Sequence, residues 1–307
     1  MNSKIVCWSL LFFSVIFSLQ ARRVPYDRWI SPDDPQPKDR EVEQETELVD
    51  FPSVWDWTQF FARINANYQY NGTRRLGDQW WFEMDQPLYV SPHTRKHTLF
   101  FQSQAMFQES QKTFNNGLSY RYLFYKDRYI LGINGFYDYA YQNSLQRWSV
   151  GGDFHTQWLL IWGNYYGGDS KWKKVSIEDD TTTWERTLSG GDITASAPFP
   201  YLPWFRLQAG FYIWDYVEGK PDALGYKISL RANILKPLFI EGGRMADRYT
   251  QDNYVLVSLS FGFPNYIQFT MVNDTVSRGI LPARTLKRFI LDIINRNNTI
   301  RTQTKTI

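Results

Sequence analysis

Residues 131–139, reading Leu-Gly-Ile-Asn-Gly-Phe-Tyr-Asp-Tyr, alternate with a period of two. In an extended strand Leu131, Ile133, Gly135, Tyr137 and Tyr139 share one face, and Gly132, Asn134, Phe136 and Asp138 share the other. A strand that is apolar on one side and polar on the other suits two architectures. In a soluble sandwich the polar face meets solvent; in a transmembrane barrel it meets the lumen while the apolar face meets lipid. One segment cannot choose between these, but the number, length and neighbours of similar segments can.

About twelve such segments follow one another from Arg63 to Phe263, most near the roughly 9 to 11 residues that a tilted membrane strand needs. Arg63 to Tyr70 sets Ile64, Ala66, Tyr68 and Tyr70 against Arg63, Asn65, Asn67 and Gln69. Gln79 to Tyr89 places Glu83 and Asp85 inward, His97 to Gln108 places Gln102 and Gln104 inward, and Phe114 to Tyr125 does so with Arg121. After the central segment, Gln146 to Thr156 turns Arg147 and Asp153 inward, whereas Trp158 to Gly168 is nearly apolar on both faces and leaves its orientation open. Glu185 to Ser196 is read as the eighth strand, with Arg186, Asp192 and Thr194 inward and a bulge at Gly190-Gly191. Phe205 to Tyr216, Leu224 to Ile234, Leu238 to Met245 and Asn253 to Phe263 complete the set, bringing Arg206, Lys227, Arg231 and Glu241 to the polar side.

Composition favours the membrane reading. The chain is 18% aromatic and only 21% charged, yet its mean hydropathy is negative, as expected of aromatic girdles around a polar lumen. Its net charge of +3 is small and its basic residues are scattered, which argues against a nucleic-acid partner. Connections agree: Lys126-Asp127 and Lys236-Pro237 are short, as periplasmic turns are, whereas most links on the other side, notably Gly168 to Trp184, are longer. The proline-rich link Pro198 to Trp204 is the exception.

The ends read differently. Residues 1–21 have the charged, apolar and small-residue regions of a signal for the general secretory pathway, ahead of the alternative of an N-terminal anchor. The one cysteine, Cys7, lies within it, so no disulfide, thiolate metal site or thiol nucleophile is expected in the mature chain. Residues 22–62 are expected to form a disordered periplasmic segment, opening into an aromatic patch at its end. Residues 264–307 follow the last strand, and Leu286, Phe289, Ile290 and Ile293 have helical spacing after Pro282, predicting a short helix.

The chain resembles the β-barrel translocators of the intimin and invasin group, the inverse autotransporters. The resemblance is carried by Asn116-Gly117-Leu118-Ser119-Tyr120-Arg121, the 131–139 segment, the strand from Trp148 to Asp153 and Gly163-Asn164-Tyr165-Tyr166 with Lys171-Trp172. It continues in Trp184-Glu185-Arg186, Gly191-Asp192, Pro198 to Pro203 and Ile294-Asn295-Arg296-Asn297-Asn298-Thr299-Ile300. It implies an all-β, antiparallel transmembrane barrel of about twelve strands in the bacterial outer membrane. It also implies a C-terminal linker, here with its helix threading or plugging the pore, that carries an adhesive passenger outward. Leu286, Phe289, Ile290, Ile293, Asn295, Arg296 and Asn297 would belong to that linker. The chain stops at Ile307, where a passenger would begin, so the passenger is expected to be missing, lost or separate; no peptidoglycan-binding module is evident before the barrel either, and both departures count against adhesion.

Seven basic residues, Arg63, Arg121, Arg147, Arg186, Arg206, Lys227 and Arg231, nearly balance six acidic ones, Glu83, Asp85, Asp138, Asp153, Asp192 and Glu241, on the inward face, with Asn134 among them. The first reading is an ion-pair network that stiffens the wall or grips the linker; the second is a filter for small ions. No enzyme, cofactor or metal site is expected: none of His93, His97 and His155 is placed beside a nucleophile or in a helical metal pair. Expected partners are outer-membrane lipid and lipopolysaccharide, periplasmic chaperones and the barrel assembly machinery, for which Phe261-Gly262-Phe263 is a suitable end. The alternatives are a small channel or structural barrel without passenger, or an adhesin whose loops bind a host-surface or matrix ligand, with Lys171, Trp172 and Lys173 in the leading loop.

Overall fold

The computed structural model describes residues 64–72, 77–91, 96–108, 111–125, 127–169, 171–178, 181–235, 238–261, 286 and 290–306. Seven strands come first: β1 (Ile64–Asn71), β2 (Gln79–Val90), β3 (His97–Gln108), β4 (Gln111–Phe124), β5 (Tyr129–Ala140), β6 (Leu145–Thr156) and β7 (Leu160–Gly168). A hairpin of β8 (Lys173–Glu178) and β9 (Thr181–Thr187) intervenes before β10 (Ser189–Phe199), β11 (Leu202–Asp215), β12 (Ala223–Leu235), β13 (Leu238–Ala246) and β14 (Gln251–Phe261). The last strand is β15 (Thr302–Thr306).

Twelve of these strands close into an antiparallel barrel, in chain order except that β7 pairs directly with β10. Closure is made by β1 on β14, from Ile64 opposite Phe261 to Asn71 opposite Tyr254. Full closure leaves no barrel edge unpaired, the condition for spanning lipid with strands. The remaining strands, β8, β9 and β15, form a separate three-stranded sheet in the order β15-β9-β8.

Burial decides between sandwich and barrel. Ile133, Phe211 and Leu224 are 64%, 65% and 69% exposed, whereas Arg121, Asp138 and His155 are 0% exposed. A polar interior inside an apolar exterior inverts the soluble pattern and is that of a membrane barrel. Aromatic rings complete the outer face: His97, Tyr122, Phe124, Tyr129 and Phe154 succeed one another at centroid spacings of 4.7 to 5.9 Å around the rim beside the β4–β5 turn, here the near rim. No helix among the described residues is long and apolar enough to cross a membrane; the strands do the crossing.

Three expectations are corrected. The strand predicted over Glu185 to Ser196 is two strands, because the chain re-enters the barrel at Leu188: β9 lies in the outlying sheet and β10 in the wall. Gly190 and Gly191 pair in continuous register with Tyr166 and Tyr165, so they form no bulge; the irregularity lies at Pro198/Phe199. The long link from Pro198 to Trp204 shrinks to Pro200 and Tyr201, because β11 begins at Leu202, with Tyr201 at φ 63° in the tight turn.

The helix predicted in the C-terminal segment falls largely outside the described residues and is not seen among those described. Among the described residues none is α-helical there: Ile290 and Leu291 form a turn, residues 292–301 run without regular secondary structure, and β15 follows. Phe289 lies outside the described residues, as does Arg63 of the predicted first strand. The physical reason is visible in the hydrogen bonds, because the segment's carbonyls are taken by side chains of the barrel wall.

Candidate functional site: the lumen and its C-terminal segment

The C-terminal segment lies against the lumen face of β3 to β7 in three apolar steps. Leu286 and Ile290 pack on Leu123 and Ile130 beside the β4–β5 turn. Ile294 packs on Phe100 and Phe136 in the middle of the wall. Ile300 packs on Ala140 and Leu145 beside the β5–β6 turn, at the far rim. The segment therefore traverses the barrel from the near rim to the far rim, and each step excludes water from an apolar contact.

Between those steps the wall's arginines hold the backbone. Arg121 donates through Nη1 to the carbonyls of Ile290, at 3.1 Å, and Asp292, at 2.7 Å. Its Nε donates to Asp153 Oδ2 at 3.0 Å, and His155 Nε2 lies 3.0 Å from the same oxygen. Arg147 donates to the carbonyls of Thr299, at 3.0 Å, and Asn297, at 2.6 Å, while its Nε is fixed by Asp138 at 2.8 Å. Asn164 donates to the Asn295 carbonyl and Asn115 to the Asn298 carbonyl, each at 3.1 Å. In the other direction, the Ile294 amide donates to Gln102 and the Asn297 amide to the Tyr166 hydroxyl. A guanidinium can serve two carbonyls and a carboxylate at once because its donors form a fixed planar fork.

Arg296 is the segment's own fastening. Its Nη1 and Nη2 donate to the two oxygens of Asp138 at 2.8 and 2.6 Å, and Nη2 also reaches Ser149 Oγ at 3.0 Å. The guanidinium carbon lies 4.3 Å from the Phe136 ring centroid and 5.6 Å from that of Tyr166. Asp138 thus serves two guanidinium groups, from Arg147 and Arg296, and all three side chains are fully buried. A second carboxylate, Asp192, stands behind Tyr166, accepting from its hydroxyl at 2.6 Å and from Asn164 at 2.8 Å.

The residues read as inward-facing fall into two groups. Arg121, Asp138 and Arg147 bond the C-terminal segment directly; Asp153 acts through Arg121, and Asp192 through Tyr166 and Asn164. Asn134 is buried in the same wall without a hydrogen-bond partner for its amide. Glu83, Asp85, Arg206, Lys227, Arg231 and Glu241 instead line a cavity of about 1100 Å³ beside the segment. There Arg231 reaches Glu241 at 2.7 Å, Tyr254 donates to Glu241 at 2.7 Å, and Lys227 stands 3.7 Å away. Glu83 accepts from Asn67 and Arg206 donates to Ser196. Arg186 joins neither group, because it lies on β9 outside the barrel.

Leu286, Ile290, Arg296 and Asn297 of the segment touch the wall as described, Asn295 contributes its carbonyl, and Ile293 faces the cavity. Sequence reasoning missed Asn115, Asn164 and Tyr166. The period-two pattern of β4 would have placed Asn115 on the same inward face as Arg121; for β7, apolar residues on both faces hid the orientation.

Residues 55–298 match the model of the inverse autotransporter β-domain. The chain belongs to that family. Inverse autotransporter β-domains are outer-membrane barrels, and the inside-out burial and closed strand order of this chain are of that kind. A solved chain reported under "Unveiling the Mechanism Behind the in-meso Crystallization of Membrane Proteins" has the same fold, with a TM-score of 0.63 at 18% identity over 79% of this chain and 100% of the other. Among curated proteins, the "Putative attaching and effacing protein homolog" of Escherichia coli (strain K12) is 30% identical over 144 residues, which are 47% of this chain and 46% of that protein. The "Inverse autotransporter adhesin YeeJ" of the same strain is 26% identical over 184 residues, 59% of this chain and 7% of that protein. The match therefore spans less than half of one relative and a small part of the other.

Proposed function

We propose that this barrel is a non-enzymatic anchor that leads its C-terminal segment from the periplasm through the outer membrane and holds it there. The observation that carries the reading is the pair Arg296–Asp138: a buried, bidentate bond between the segment and the wall, backed by Arg147 and by cation–π contact with Phe136. Such a contact fixes both position and orientation, since a guanidinium slid by one residue would leave a buried charge unpaired. The apolar steps at Ile290, Ile294 and Ile300 support the same register. On this reading the near rim faces the periplasm and the far rim the cell exterior, the signal at residues 1–21 brings the chain to the secretory pathway, and the barrel assembly machinery inserts it.

The test is surface labelling of intact cells with an epitope after Ile307 and a matched epitope between β8 and β9. Both are expected to label. Labelling of the hairpin alone would remove the anchoring role.

A further inference from the structure

Strand β15 completes a sheet that spans the far mouth of the barrel. On one side, the β8–β9 hairpin is tied to the β5–β6 turn: Asn143 donates to Glu185 at 2.5 Å, and Lys173 donates to the Ser144 carbonyl. On the other, β15 is tied to the β11–β12 loop. There the Gln303 side chain accepts from the Val217 amide and donates to the Val217 carbonyl, each at 3.0 Å, mimicking a strand pair, and Lys305 meets Glu218 at 3.0 Å. Between the two lies the β15–β9 ladder, from Thr302 opposite Thr187 to Thr306 opposite Thr183, begun at the rim by the Leu188 amide on the Arg301 carbonyl. The sheet roofs the lumen cavity, whose lining includes Thr183, Glu185, Thr302 and Thr304.

We propose that the C-terminal strand is the closing element of a lid, so that the far mouth is sealed only once the chain's own C-terminal segment has emerged. The inference rests on the reading of that segment as passing outward. The physical argument is one of span and stability. Without β15, the hairpin is two strands, a unit marginal by itself in water, and it lacks the strand and the Gln303 side chain through which the sheet reaches Val217. Only the arriving strand supplies both the third ladder and the Gln303 clamp. Because the lumen segment lies on the side of β3 to β7, a cavity of about 1100 Å³ remains beneath that sheet, and the lid stands over it.

The experiment compares steady conductance of the purified full chain in planar bilayers with that of a chain lacking residues 302–307 and of Gln303→Ala. The deletion keeps Arg296 and its lumen contacts; the point change removes only one side chain, so it folds whatever becomes of the deletion. The full chain is expected to be the least conducting, Gln303→Ala to conduct more, and the deletion most. Equal conductance of the full chain and Gln303→Ala would overturn the lid. The surface epitope after Ile307 separates the two readings: if it labels and conductance is unchanged, the lid fails and the anchor stands, whereas a hidden epitope removes the anchor and with it a lid that closes on emergence.

Discussion

Asp138 on β5 binds both terminal nitrogens of Arg296, 158 residues further along the chain, and at the same time the Nε of Arg147 on the neighbouring β6. The arrangement is asymmetric, because one carboxylate answers two cations. Removing Arg296 leaves Asp138 paired with Arg147, whereas removing Asp138 leaves two buried guanidinium groups without their carboxylate. Breaking a buried pair by deleting one partner costs about 3–5 kcal/mol, and Asp138→Ala belongs at that end. Arg296→Ala is expected to cost less. Denaturant unfolding of the purified barrel in detergent measures both; equal costs would contradict the asymmetry.

Arg121 and Arg147 hold different stretches of the same segment, Arg121 at Ile290 and Asp292 and Arg147 at Asn297 and Thr299. Their loss should therefore be felt locally. In Arg121→Ala the amides around residues 290–294 are expected to exchange faster with deuterium while those around 297–300 stay protected, and Arg147→Ala should reverse the pattern. Hydrogen-exchange mass spectrometry resolves the two stretches. A uniform loss of protection in both variants would show that the segment releases as one unit.

Glycine supports this grip from behind at two places. A Cβ on Gly132 would lie 2.3 Å from an oxygen of Asp153, the carboxylate that orients Arg121, and one on Gly117 would lie 2.3 Å from the Phe136 ring, which meets both Arg296 and Ile294. Gly135, on the lipid face, would meet nothing closer than 3.9 Å. Gly132→Ala and Gly117→Ala are expected to destabilise by about 1–3 kcal/mol, the cost of overpacking, with Gly135→Ala near neutral. Thermal melting of the three variants in detergent is the check, and a comparable loss for Gly135→Ala would refute the packing argument.

The barrel was legible wherever one face of a strand was polar. β4 and β5 show it: Arg121, Asn134 and Asp138 follow from a period of two and stand on the inner face. It was less legible where the period failed. β7 carries Leu160 and Trp162 inward and Ile161 and Tyr165 outward, so its inward Asn164 and Tyr166 could not be oriented. β9 and β10 read as one strand because only Leu188 separates them; nothing local says that the first pairs with a strand more than a hundred residues away. The C-terminal segment misled for the same reason. Leu286, Phe289, Ile290 and Ile293 are spaced as on a helix, yet Leu286 and Ile290 share one apolar step of the wall, Ile294 takes the next, and Ile293 faces the cavity. The carbonyls that a helix would satisfy internally are instead met by Arg121 and Arg147, from a distance no local pattern reports.

The cluster on the opposite wall separates stiffness from grip. Glu241 accepts from Arg231 and Tyr254 and lies beside Lys227, joining strands β12, β13 and β14 without bonding the C-terminal segment. Glu241→Gln keeps the shape and removes the charge, so it weakens charge-assisted bonds that are worth about 1.5–3 kcal/mol each when whole. Asp138→Asn makes the same chemical change in the wall that does bind the segment. Both variants are expected to melt at lower temperature than the native barrel, but only Asp138→Asn should expose the amides of residues 294–300 to exchange. If Glu241→Gln exposed them equally, the lumen would be one coupled network, and the division into a gripping wall and a bracing wall would have to be abandoned.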